Sequence, residues 1–210
     1  MFQKINSKIF LEFSFFIVFG LMLLAVPFSP FAKAATSTAT LSVTVLSTLS
    51  LSINSTTVAI PNLTPGTPVS AISTSTVLTN NSTGFSFSLH RNTAGQTLSS
   101  GSNTITDKTA WAPGANTSTP GNAATYSGTG LAFRVPTANT SACAQATSWW
   151  GSDGSPLHAG TNTSATEIAN CGSYQAASTS VAISYYLDVP STQPTGAYTG
   201  GVTYTAVVNP

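Results

Sequence analysis

The sequence predicts an all-β chain: an antiparallel β-sandwich of Greek-key or jelly-roll type, preceded by an N-terminal signal helix. Three observations predict it. Apolar residues recur with period two in several short runs, the pattern of strands with one buried face. Gly, Pro, Asn and Asp punctuate those runs, and these are the residues that turns require. After Ala34 the chain carries 27 Ser and 34 Thr, and β-branched Thr sits well on the wet face of a sheet while forming helices only modestly.

The elements follow in order. Lys4 and Lys8 give a positive start, and Phe13 to Val26 is a 14-residue run without a charge. Pro27 and Pro30 stop any helix, and Ala32-Lys33-Ala34 is the small-x-small pattern at which signal peptidases cut. The run is short of the roughly 20 apolar residues a bilayer span needs. Cleavage is therefore expected between Ala34 and Ala35, leaving residues 35–210 as a single exported domain with no membrane span after processing. Neither a Leu-Pro-x-Thr-Gly sorting signal nor a lipoprotein cysteine is read in the sequence.

Strands are expected at Leu41–Val45 and Leu49–Ile53, or one long strand with a bulge that switches faces, and at Val58–Ile60, then a turn at Pro65-Gly66-Thr67-Pro68. Val77–Thr79 and Phe85–Leu89 flank Asn80-Asn81-Ser82-Thr83-Gly84 and read as a hairpin. Leu131–Val135, Val181–Val189 and Tyr198–Ala206 complete the strand set, with a turn at Pro190–Gly196. No helix is expected after Val26. Residues 99–130 and 137–177 read as two long loops, and loops of that length are uncommon unless they bind something or move.

Charge excludes whole classes of partner. Beyond Ala34 the only full charges are Arg91, Lys108 and Arg134 against Asp107, Asp153, Glu167 and Asp188. That cannot build the clustered Lys and Arg surface on which nucleic-acid affinity rests, nor one for anionic lipid. Two cysteines, Cys143 and Cys171, are an even pair in an exported chain and are expected to form a disulfide.

Chemistry is thinly supplied. His90 and His158 are the only histidines, and a His158–Asp153 pair beside an abundant Ser has no Gly-x-Ser-x-Gly elbow to support it. No catalytic residue, metal site or cofactor is expected; Asp107 and Asp153-Gly154 lack the ligand spacing of a calcium loop. Trp111, Trp149 and Trp150 are the candidate binding residues: exposed rings would stack on sugars, whereas buried ones would fill the core. Seven Asn-x-Ser/Thr sequons begin at Asn54, Asn62, Asn80, Asn81, Asn116, Asn139 and Asn162, a pattern that licenses glycosylation.

The C-terminal run Val189-Pro190 to Pro210, with Tyr198, Tyr204 and the late Pro210, resembles the closing strands of secreted bacterial surface β-sandwiches of the WxL type. The Thr79–Leu89 stretch is similar to a strand–turn–strand in the same proteins. A second resemblance is to spore coat protein U-like pilin subunits, through Gln193…Gly196-Ala197-Tyr198 and Trp150-Gly151. Both resemblances imply an extracellular β-sandwich at a bacterial cell surface, the first with attachment to peptidoglycan. The expected function is thus structural or adhesive and non-enzymatic, with contact through strand edges or loops. Its expected partners are a cell-envelope polymer or other surface protein subunits. A carbohydrate-binding module using the loop Trp residues is the alternative; a pilin-like subunit retaining its helix after Glu12 is the third reading.

Overall fold

A computed structural model describes residue 40 and residues 42–116, 118–137 and 147–210. The expected signal helix, the Ala34/Ala35 cleavage point and Cys143 lie outside the described residues. The main compact unit is Val45–Pro210. Its strands begin with β1 (Leu49–Ile53), β2 (Val69–Thr79) and β3 (Phe85–Arg91), followed by β4 (Leu98–Ser100) and β5 (Asn103–Ile105). Next come β6 (Ala124–Thr125), β7 (Gly130–Arg134), a helical turn α1 (Thr147–Trp150), β8 (Gly151–Ser152) and β9 (Ser155–His158). The last are β10 (Thr166–Cys171), β11 (Thr179–Asp188) and β12 (Val202–Val208).

Two antiparallel sheets make the sandwich. One has the order β1-β2-β11-β7 and the other β10-β3-β12; β4-β5 and β6-β9-β8 are small additions. Alternation explains the core. Val181, Ile183, Tyr185 and Leu187 of β11 meet Phe85, Phe87 and Leu89 of β3 in one buried cluster, each burial of such a side chain contributing about 2 kcal/mol. The Phe87 and Tyr204 rings stack at 5.9 Å. The Tyr185 and Tyr204 hydroxyls bond at 2.7 Å, tying the sheets together.

The all-β expectation holds, and several elements differ in detail. β2 and β3 are not a hairpin: they belong to opposite sheets, so residues 80–84 form an arch between layers. Gly84 has φ 77° there, and a Cβ on it would lie 1.8 Å from the Cys171 carbonyl oxygen, so only glycine fits. Val58–Ile60 is not a strand; its side chains pack against the core, but the chain from 54 to 68 joins no sheet. Leu41 is outside the described residues, and residues 42–48 carry no regular structure.

The two expected loops hold real elements. Residues 99–130 contain most of the β4–β5 hairpin and β6, and residues 137–177 contain α1, β8, β9 and the full sandwich strand β10. A bulge between Glu167 and Ala169 interrupts β10, which erases the alternation by which a strand is recognised.

Candidate functional site

The three tryptophans come together, but not as a binding surface. Trp111, Trp149 and Trp150 are 3, 2 and 0% exposed. Trp111 lies 4.3 Å from Trp150 and 5.6 Å from Trp149, centroid to centroid, and Trp150 packs on Phe133 at 5.1 Å. All three indole N–H groups donate to backbone carbonyls: Trp111 to Glu167 at 2.7 Å, Trp150 to Ile168 at 2.8 Å, and Trp149 to Asn116 and Thr119 at 3.0 and 2.9 Å. A sugar needs an open ring face, and these rings offer none. The expectation of a glycan site on Trp111, Trp149 and Trp150 is therefore corrected: burial makes them core residues.

Their placement closes one long side of the sandwich, between edge strands β7 and β10. The carbonyls that Trp111 and Trp150 cap are those of the β10 bulge. Across from them, β7 is covered by backbone bridges. Leu131 N donates to Thr106 O at 2.8 Å and Lys108 N to Leu131 O at 2.8 Å; Phe133 and Ala159 exchange bonds of 2.8 and 3.0 Å. Gly121 lets its backbone reach the cluster, since a Cβ there would sit 2.1 Å from the Trp111 ring.

On the opposite long side β1 and β12 approach each other but are open in their hydrogen bonding. Among the described residues β1 pairs only with β2, and β12 only with β3. The ladder parity names the free groups. Asn92 N donates to Gly201 O and Asn209 N to Gly84 O, so odd-numbered residues of β12 face β3. Val202, Tyr204, Ala206 and Val208 then aim their N–H and C=O outward. Asn54 N donates to Thr74 O, which by the same parity leaves Leu49, Leu51 and Ile53 as the outward groups of β1.

At this side a groove of about 1180 Å³ runs between the strap 55–65 and residues 193–204. Leu63, Leu98, Ile105, Leu131, Leu187 and Val202 give it an apolar lining, and no charged residue lines it. Ser99 and Thr199 hold its far wall through paired backbone bonds of 2.9 Å. The sequence pattern alone did not reveal this site, because its walls are the non-strand segments 54–68 and 193–201.

The titratable residues are accounted for elsewhere. Arg91 and Asp107 pair at 3.3 Å. Burial raises the Asp107 pKa, opposed by hydrogen bonds from Thr97 and Thr161 and by the Arg91 charge. Arg134 pairs with Asp153 at 2.7 Å. His158 lies edge-on to Tyr126 and Tyr186 at 5.7 and 4.3 Å, and neither ring nitrogen has a hydrogen-bond partner. Burial first, and Arg134 second, lower its pKa to about 4. No Ser–His–Asp chain passes through it. Among the described residues no cluster of His, Cys, Asp or Glu could hold a metal ion, and no helix is long and apolar enough to cross a membrane. Cys171 is fully buried at the end of β10.

Compared with protein-family models, curated proteins and solved structures, the chain matches none.

Proposed function

We propose that this chain is an exported, non-enzymatic structural or adhesive protein of the cell surface, which holds another surface polypeptide along its open side. The observation that carries this is the contrast in its edges: an uncharged apolar groove flanked by two strand edges whose backbone groups have no ladder partner. An extended chain entering there would gain backbone hydrogen bonds from the edge and apolar burial from the groove together. The charge-poor composition supports the same reading, since it leaves little for catalysis or for polyanion binding. A Cys143–Cys171 disulfide belongs to this proposal, with buried Cys171 as its anchor on β10.

Proline on β12 tests it. Val202→Pro with Ala206→Pro removes two outward N–H groups and leaves the β3 ladder intact, which an edge strand tolerates. Retention of the double variant on washed cells is expected to fall about 10-fold, the cost of two lost hydrogen bonds, with export and circular dichroism unchanged. Equal retention of variant and parent contradicts the proposal. N-terminal sequencing of the exported protein checks the cut before Ala35.

A further inference from the structure

The fold treats the seven sequons unequally. An Asn-x-Ser/Thr sequon serves as a glycan acceptor only where its amide can be reached and the hydroxyl of its third residue is free. The side chain must also leave its own partners to enter a transferase. The sequons at Asn116 and Asn139 include residues outside the described ones, which leaves five. Three of these are spent on the fold. Asn81 Nδ2 donates to Thr83 Oγ1, Asn209 O and Gly84 O at 2.7, 2.8 and 3.1 Å, fastening the 80–84 arch to the end of the chain. Asn162 Nδ2 donates to Trp111 O at 2.6 Å and to Thr166 Oγ1 at 2.7 Å. The Asn80 amide is held from both sides: Nδ2 donates to Leu46 O at 2.9 Å, and Oδ1 accepts from Thr48 N at 2.6 Å.

The other two sequons lie on the segment 54–68. The middle residue of the Asn62 sequon, Leu63, packs against the core, and Pro61 and Pro65 fix the backbone on either side. Drawing that sequon out would unpack Leu63. Asn54-Ser55-Thr56 has neither restraint, and all three residues are exposed. Asn54 Oδ1 accepts from Thr74 N at 2.9 Å. Its Nδ2, the atom a glycan would join, has no partner among the described residues, and neither has the Thr56 hydroxyl. The Ser55 hydroxyl only closes a local exposed turn with Thr57 O and N, at 2.8 and 3.2 Å. Asn54 also stands one residue beyond the end of β1, where the chain leaves the sheet.

We propose that Asn54 is a glycan acceptor, taking its carbohydrate from a polyprenyl-diphosphate-linked oligosaccharide. The bond between Asn54 Nδ2 and the sugar C1 forms as the bond from C1 to the diphosphate oxygen breaks. Nδ2 gives up one proton, and the polyprenyl diphosphate leaves with the electron pair. The modified side chain keeps Oδ1 and one N–H, so the bond from Thr74 N survives. This inference goes beyond the reading of the open side and does not depend on it.

Peptide mapping by mass spectrometry, on protein purified from its own cells, is the test, beside Asn54→Gln and Thr56→Ala variants. Thr56→Ala leaves the Asn54–Thr74 bond in place and removes only the hydroxyl of the third residue, so it separates loss of the sequon from damage to the fold. The parent is expected to carry glycan at Asn54 and none at Asn62, Asn80, Asn81 or Asn162. Each variant is expected to lose one whole glycan from its intact mass, with circular dichroism unchanged. A bare Asn54 in the parent overturns the proposal, as does a Thr56→Ala variant that keeps its Asn54 glycan. Glycan at Asn62, Asn80, Asn81 or Asn162 overturns the sorting on which the choice of Asn54 stands.

Discussion

The two long sides of this sandwich solve the same problem in opposite ways. Each ends in strands whose backbone groups have no neighbour within the sheet. On the β7–β10 side, indole N–H groups of Trp111 and Trp150 cap the carbonyls of β10, and bridges from residues 106–108 and 159 cover β7. On the β1–β12 side, the strap 55–65 brings Val58, Ile60 and Leu63 against the core without offering a ladder to either edge. Apolar contact has been supplied there and hydrogen bonding has not. An edge of that kind is a liability for a lone molecule and an attachment point for one that assembles.

The largest expected effect lies on the closed side. Trp150→Ala is expected to destabilise by about 4 kcal/mol, because it opens a large cavity and leaves the Ile168 carbonyl unpaired; denaturant unfolding followed by circular dichroism reads this. A cost below about 1 kcal/mol would break the comparison, since the cluster would then not be holding that side shut.

Next comes pH. His158 has its pKa lowered from 6.5 to about 4. As pH falls, the unfolded chain takes up this proton before the folded one, so stability is expected to drop between pH 6.5 and 4. The loss is roughly 2 kcal/mol after allowance for partial screening. Asp107, with its pKa raised, acts with the opposite sign: its contribution is lost as pH rises through its folded value. His158→Phe isolates the first effect and is expected to flatten the acid limb of a plot of Tm against pH.

Leu63→Ala on the open side is expected to cost only about 1 kcal/mol, because the side chain is half-buried. Smaller still, and of opposite sign, is Ser75→Ala between the two sides. The Ser73 and Ser75 hydroxyls are buried without a partner, so removing one is expected to raise unfolding free energy by up to about 1 kcal/mol.

Those two serines also explain part of what the sequence concealed. β2 has its inward face built from Ala71, Ser73, Ser75 and Val77, so its first eight residues show no apolar alternation and only Val77–Thr79 reads as strand. β3 and β11, which carry Phe, Leu, Val and Ile on their inward faces, were legible over most of their length. β10 was hidden by its bulge at Ile168. The tryptophans stood out in two expected loops, but their burial in one cluster depends on where those segments fold back, which local pattern does not encode. The open groove was least legible, because it is made by segments that lack a strand period. The strand expected at Leu41–Val45 does not form over its described residues 42–45, which carry no regular structure.

Amide hydrogen exchange on the purified protein compares the two sides directly. The outward amides of Val202, Tyr204 and Ala206 are expected to exchange fast, while the amides beside the tryptophan cluster stay protected. Outward β12 amides as protected as those beside the tryptophan cluster would contradict the reading of the β1–β12 side as the place where a strand is received.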